Sequence, residues 1–291
     1  MTNSQMLSVI SSQTAMRYRQ KSYPLKKNPE SIPKMIQAVL FDCWDTILTS
    51  DPDQLALIEQ QRIDAISWMV RENKVLFGIS PHRQTVTEAY VTFWKHVQGM
   101  RSNELTDVGL EEHSRVLANY LGIRSPNGLA IELCRQALTS VDLIRNCQVI
   151  LGAQEALKTI KDMGLRIGLI SNTGIDPHSE VVKVLEHFGL RQYFHELVFS
   201  DQVGFLKPHP KIFKYALDKL GVEASKTIII GDDPNADIVG AKLLGMKAIL
   251  KPHRARNTLL SITEDTQDLI PDKIIHEFDE VLEVVFKLIS E

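Results

Sequence analysis

From Gln148 to Glu291 the chain alternates apolar runs of strand length with segments of helical spacing. The pattern predicts helix over 152–164, strand over 166–171, helix over 177–189 and strand over 195–200. It continues with helix over 210–221, strand over 226–231, helix over 234–244, strand over 247–250 and a last helix over about 277–289. Strands in parallel need long crossovers, and helical crossovers cover both faces of the sheet. The expected fold class is therefore α/β, a doubly wound parallel sheet. The punctuation agrees. Pro210 suits a first helical turn, and Gly164, Gly189, Gly221 and Gly245 stand near predicted helix ends.

One more strand is expected near the start, in Met35–Leu48, which reads MIQAVLFDCWDTIL. Its apolar run delivers Asp42 to the strand end, and Asp45 and Thr46 follow at once. From Leu48 to about Cys147 the spacing turns helical, over 54–77, 84–100, 107–122 and 127–139. In the first of these Leu55, Ile58, Ile63, Ile66 and Met69 fall near one stripe. The organisation that follows is a polar N-terminal tail over 1–34, a sheet domain built from 35–47 and 148–291, and a helical insert over 48–147. The tail carries six basic residues against one acid, with Pro24 and Pro33 breaking any long helix. It reads as a flexible tail. A transit peptide is the weaker alternative, because no sustained amphipathic stretch with regular Arg spacing is present.

The polar residues at the strand ends carry the functional argument. Ser171 and Asn172 close RIGLISN, Lys207 stands in GFLKPHP, and Asp232, Asp233 and Asp237 follow TIIIG in TIIIGDDPNAD. Parallel strands that end together place such residues in one crevice. Taken singly, Asp42 reads as a helix cap, Lys207 as a surface residue, Asn172 as a turn residue and Asp232 or Asp233 as the cap of the next helix. Their common position at strand ends argues for a shared site.

In this order the four motifs, DCWDT at 42–46, SN at 171–172, Lys207 and GDDPNAD at 231–237, resemble the haloacid dehalogenase superfamily of aspartate-nucleophile hydrolases. The resemblance spans roughly 35 to 290. It implies a Rossmann-like core with a helical insert of the C1 cap type. It implies Asp42 as nucleophile, and Ser171, Asn172, Thr46 and Lys207 as holders of a transferring phosphoryl group. It also implies Mg²⁺ held by Asp42, the backbone carbonyl of Trp44 and Asp232, with Asp237 and Asp233 as further ligands, direct or through water. Mg²⁺ prefers six oxygens, several of them from water. The implied reaction is hydrolysis of a small phosphorylated metabolite, ester or anhydride, through an aspartyl-phosphate.

One position departs from the pattern. Phosphatases of the superfamily usually carry a second Asp two residues after the nucleophile, as the general acid. Here that position is Trp44, and Asp45 stands one place further on, where the family often has Gly. A general acid contributes about 10²–10⁴-fold. Either Asp45 serves from a shifted turn, or the substrate has a good leaving group, or the chemistry differs. A haloacid dehalogenase lacks this Asp but loses the acidic cluster retained here, and its tyrosine six residues after the motif-three Lys is Phe213 in this chain. A phosphonatase keeps the metal but needs a Schiff-base lysine in the cap, for which Lys74 and Lys95 are the candidates. A binding protein with little turnover is the alternative outside enzymes. Cap residues His82, Arg83, Trp94, His96 and Arg101 have the chemistry to select a substrate.

Composition sets outer bounds. The 291 residues carry a net charge of −3, which gives no global argument for nucleic acid or anionic membranes. No apolar run approaches the roughly 20 residues of a membrane span. Cys43, Cys134 and Cys147 are odd in number and form no C-x-x-C pair, so a reducing, cytoplasmic setting is expected. Cys43 is expected to be a small buried residue rather than a reactive thiol. The oligomeric state has no signature in the sequence.

Overall fold

The computed structural model describes residues 36–79, 82–123, 126–252 and 269–290. The expected tail over 1–34, with its transit-peptide alternative, lies outside the described residues. The core is a six-stranded sheet with every described pairing parallel. Its strands are β1 (Ala38–Phe41), β4 (Arg166–Ser171), β5 (Glu196–Phe199), β6 (Thr227–Gly231), β7 (Lys247–Leu250) and β8 (Lys273–Ile274), in the order β5-β4-β1-β6-β7-β8. Chain order reverses at β1, which has β4 on one side and β6 on the other. In such sheets the crevice outside the carboxyl ends of the strands, at this switch, is where ligands bind.

Alternate residues of the strands feed two cores. Val39 and Phe41 of β1 and Ile228 and Ile230 of β6 join one cluster, with α6 (Ala153–Asp162), α7 (His178–His187) and α11 (Asp279–Ser290). Ala38, Leu40 and Ile229 face the other cluster, with α9 (Pro210–Leu220). Near-continuous apolar runs are what strands buried on both faces require, which is why the sequence reveals these strands so plainly.

Between β1 and β4 the chain builds five helices: α1 (Pro52–Glu72), α2 (Lys74–Phe77), α3 (Arg83–Glu104), α4 (Gly109–Tyr120) and α5 (Gly128–Leu138). Asp51 starts α1 through a capping box with Gln54. Ile58 of α1 joins the core of the sheet, while most buried apolar residues of these helices form a cluster of their own, including Ile66, Phe93, Leu117 and Cys134. Ile175, from the loop after β4, is buried in that same cluster. Four differences from the predicted elements stand out. Leu48–Thr49 (β2) pairs antiparallel with Gln148–Val149 (β3) where the insert leaves and rejoins the core. β8 adds a two-residue edge strand. Both pairings are too short to show alternation. Ser200 leaves the strand and opens the short helix α8 (Ser200–Val203), closed by Gly204 at φ 78. The helix expected over 234–244 begins as a π-turn, Pro234–Val239, and continues as α10 (Gly240–Lys242).

Gly240 shows how tightly this last element sits behind the site. A Cβ there would overlap the Phe213 ring and lie 3.0 Å from Pro208 Cα. Gly240→Ala should therefore destabilise the fold by about 1–3 kcal/mol through overpacking. Urea denaturation of the variant checks this, and an unchanged midpoint would mean that α9 and the π-turn can separate freely.

Candidate active site

The sheet brings the predicted residues together at its carboxyl edge. Asp42 directly follows β1, and its amide donates to Ile230 O at 2.9 Å, continuing the ladder to β6. Asp232 directly follows β6, and Asp237 lies on the π-turn. One carboxylate oxygen from each of Asp42, Asp232 and Asp237 falls within 4.8 Å of the others, and all three residues are buried. Lys207, 4% exposed, donates from Nζ to Asp42 Oδ1 at 2.6 Å and to Asp237 Oδ1 at 2.7 Å. Thr46 Oγ1 donates to Asp42 Oδ2 at 3.1 Å.

Second-layer bonds hold this arrangement. Asn172 grips the Lys207 backbone from both sides: its Oδ1 accepts from Lys207 N at 2.7 Å, and its Nδ2 donates to Lys207 O at 3.0 Å. Asn172 is thereby a holder of Lys207 as much as a candidate phosphate ligand. Asp233 commits Oδ1 to capping the π-turn, accepting from Asn235 N at 2.8 Å and Ala236 N at 3.0 Å. It stands outside the three-carboxylate group, though its amide donates to Asp237 Oδ2 at 3.1 Å. A side chain at Gly231 would collide with the Asp237 carboxylate, which explains the glycine in this motif. Ser171 Oγ is buried with no hydrogen-bond partner among the described residues. A buried orphan hydroxyl is rare in native structures and marks a place for a ligand or water.

Electrostatics follow from burial. Burial pushes the Asp237 carboxyl up to about 7, against the pull of Lys207 and with Asp42 and Asp233 adding to the rise. Burial lowers the Lys207 ammonium, but Asp237 and Asp42 outweigh it and the net shift is upward. Burial, then the neighbouring Asp42 charge, raises the Cys43 thiol well above its ordinary range. Cys43 is buried, as the sequence predicts. Cys134 and Cys147 are also buried and free, with thiols pushed up by burial to about 12 and about 11.

The departing turn has its own logic. Asp45 adopts φ 59, a left-handed conformation that Asp tolerates better than most residues. Its Oδ1 accepts from Thr49 Oγ1 at 2.9 Å and its amide donates to Leu48 O at 2.6 Å. Trp44 is half-buried against the core. Of the cap candidates, His82 and His96 are exposed, Trp94 is half-buried with its ring near Gly174, and Arg101 Nη1 lies 3.8 Å from Asp107 Oδ2. The Arg83 side chain lies outside the described residues. Lys74 and Lys95 are both exposed, which gives no support to a buried Schiff-base amine. Sequence reasoning missed Asp107, Thr173, Ser200 and the part-buried Arg62–Asp176 pair that ties α1 to the loop after β4. Each is a contact between distant segments with no local signature.

A family model described as haloacid dehalogenase-like hydrolase matches residues 36–245. The chain belongs to that family. It is a hydrolase, and curated relatives point to the phosphatases within the family. It is 29% identical over 216 residues to a glyceraldehyde 3-phosphate phosphatase of Pyrococcus abyssi, covering 74% of this chain and 81% of that protein. It is 27% identical over 259 residues to the protein of that name in Methanopyrus kandleri, covering 88% of this chain and 100% of the other. Among solved structures, a 2-haloacid dehalogenase from Pseudomonas syringae pv. Tomato DC3000 superposes with a TM-score of 0.62 at 22% identity, covering 87% of this chain and 99% of that one. At that identity the likeness speaks for the fold. No described helix is long and apolar enough to cross a membrane.

The raised Asp237 pKa gives a pH test on metal-stripped protein. A carboxyl raised on folding holds its proton more tightly in the folded state. Its stabilising contribution is full below about 4 and is lost as pH climbs toward about 7. Urea midpoints at about pH 5 and about pH 7.5 should therefore differ less in Asp237→Asn than in the parent. Equal differences in the two proteins would contradict the assignment.

Proposed function

We propose that this chain is a Mg²⁺-dependent phosphatase of small phosphorylated metabolites, acting through an aspartyl-phosphate on Asp42. The observation that carries the reading is the convergence of three buried carboxylates, Asp42, Asp232 and Asp237, two of which, Asp42 and Asp237, bond one ammonium, Lys207. Carboxylate oxygens are the donors that a hard dication prefers. Asp42, Asp232, Asp237 and the Trp44 carbonyl would hold Mg²⁺, with Asp233 ordering the turn beneath. When bound, the ion would neutralise charge on the transferring group.

The rest of the chemistry falls to the protein. An Asp42 carboxylate oxygen attacks phosphorus while the bond to the leaving oxygen breaks. Lys207, Thr46 and Ser171 Oγ hold the phosphoryl oxygens, and water then attacks phosphorus to release phosphate and restore Asp42. The insert over 48–147 acts as a cap that closes over the crevice and excludes water. Trp44 cannot protonate a leaving oxygen, and Asp45 is engaged by Thr49. The reading therefore favours substrates whose leaving groups depart without much proton assistance, acyl phosphates and other anhydrides above simple alkyl esters. The names of the relatives, glyceraldehyde 3-phosphate phosphatases, support including small phosphorylated sugar derivatives in a substrate screen. Retention of Asp232 and burial of Phe213 in the core speak against the haloacid branch.

Asp42→Asn should abolish turnover of an acyl phosphate at unchanged circular dichroism, since the amide cannot form the acyl-phosphate. Retention of more than a few per cent of the rate would remove Asp42 from the role. EDTA should abolish activity and Mg²⁺ restore it. Full activity without metal, on haloacids rather than phosphates, would move the chain to the dehalogenases. Metal binding without turnover of any phosphorylated compound would favour a binding protein disabled at Trp44.

A further inference from the structure

The connection between α3 and α4 belongs to the insert, yet it is stitched into the core beside Lys207. Leu206 N donates to Leu105 O at 2.9 Å, Asp107 N donates to Gly204 O at 3.1 Å, and Thr106 bridges Phe205 in antiparallel sense. At the centre lies the Asp107 side chain, wholly buried. Ser200 Oγ donates to its Oδ2 at 2.6 Å, and Thr173 Oγ1 donates to the same oxygen at 3.1 Å. Both hydroxyls already accept backbone amides, from Thr173 N at 2.8 Å and Asp201 N at 3.2 Å respectively. Each then has one proton to give; Asp107 Oδ2 lies within reach of both, and the two hydroxyl oxygens lie 3.0 Å apart. Arg101 Nη1, 3.8 Å away, offsets the buried charge.

The core residues bound here adjoin the catalytic ones. Thr173 follows Asn172, which clasps the Lys207 backbone, and residues 204–206 lead directly into Lys207. We propose that Asp107 is a positioning residue for the transfer reaction, supplied by the insert, which sets Lys207 through Thr173, Asn172 and the 204–206 segment. It ties the loops after β4 and β5 into one platform, so the insert contributes to the catalytic geometry as well as covering it. A buried carboxylate is tolerated where hydroxyls bond one oxygen, the Gly109 amide donates to the other at 3.3 Å and a guanidinium offsets the charge. Without it, only one of the two hydroxyl protons keeps an acceptor, the other hydroxyl 3.0 Å away, and the platform loosens. The inference rests on the phosphatase reading for its kinetic arm only.

The test compares the parent with Asp107→Ala, Asp107→Asn and Ser200→Ala, the last removing one of the bonds from the core side. With p-nitrophenyl phosphate and saturating Mg²⁺, Asp107→Ala should lower kcat about 10²-fold, the order expected for a small misplacement, with KM little changed. Asp107→Asn, which keeps one acceptor oxygen, should recover part of the loss. Amide hydrogen exchange read on the same proteins needs no turnover. It should quicken over 172–173 and 204–207 and stay unchanged in α1 and α5. Quickened exchange across all the helices of the insert would assign Asp107 to folding rather than positioning and overturn the proposal. So would unchanged exchange at 204–207 in a folded variant. If the parent itself lacks phosphatase turnover, the functional reading fails, and the exchange result still decides the role of Asp107.

Discussion

The buried contact of Lys207 with Asp42 and Asp237 is the interaction on which the rest of the site depends. Three carboxylates at one sheet edge repel one another, and each pays a desolvation penalty that water no longer offsets. An ammonium bonded to two of them makes the arrangement tolerable, and breaking such a buried pair from one side costs about 3–5 kcal/mol. Much of the nearby architecture follows from holding that ammonium still. Asn172 clamps its backbone, Gly231 makes room for the Asp237 carboxylate, and Gly240 lets the π-turn close against Phe213 and Pro208. Lys207 itself sits on a loop, so its precision is borrowed from these neighbours.

The turn after β1 shows how one motif serves two demands. Position 45 needs a left-handed backbone, which glycine meets freely and aspartate meets at small cost. Asp45 adds a bond to Thr49, at the start of the segment leading to the insert. Its presence there has a conformational explanation that is independent of catalysis. The Trp44 ring is packed against the core instead of offering an acid. In the proposed site the charged groups are therefore in place, while position 44 carries no acid.

Much of this was legible in the sequence because the physics is local. Strands buried on both faces read as apolar runs, and the residues that end them read as DCWDT, SN and GDD. Lys207 was legible only through its order among the motifs, since a lysine before a proline carries no signal alone. The two-residue pairing of Leu48–Thr49 with Gln148–Val149 was invisible, being shorter than any period. The junction of insert and core was invisible for a different reason. Asp107, Thr173 and Ser200 carry no local signature in sequence, and only the fold brings them within hydrogen-bond reach. Asp233 shows the converse, an acid in a metal-type motif whose described bonds cap a turn.

The central claim, that Asp42 attacks phosphorus, is tested most directly by trapping the intermediate. The Mg²⁺-loaded protein is mixed with acetyl phosphate, quenched in acid during turnover and reduced with borohydride, which converts an acyl phosphate to the alcohol. Peptide mass spectrometry should find the reduced side chain at Asp42, absent from samples without substrate and from samples without Mg²⁺. Phosphate release at full rate with Asp42 unmodified, or with the reduced side chain at Asp45, Asp232 or Asp237 instead, would contradict the account.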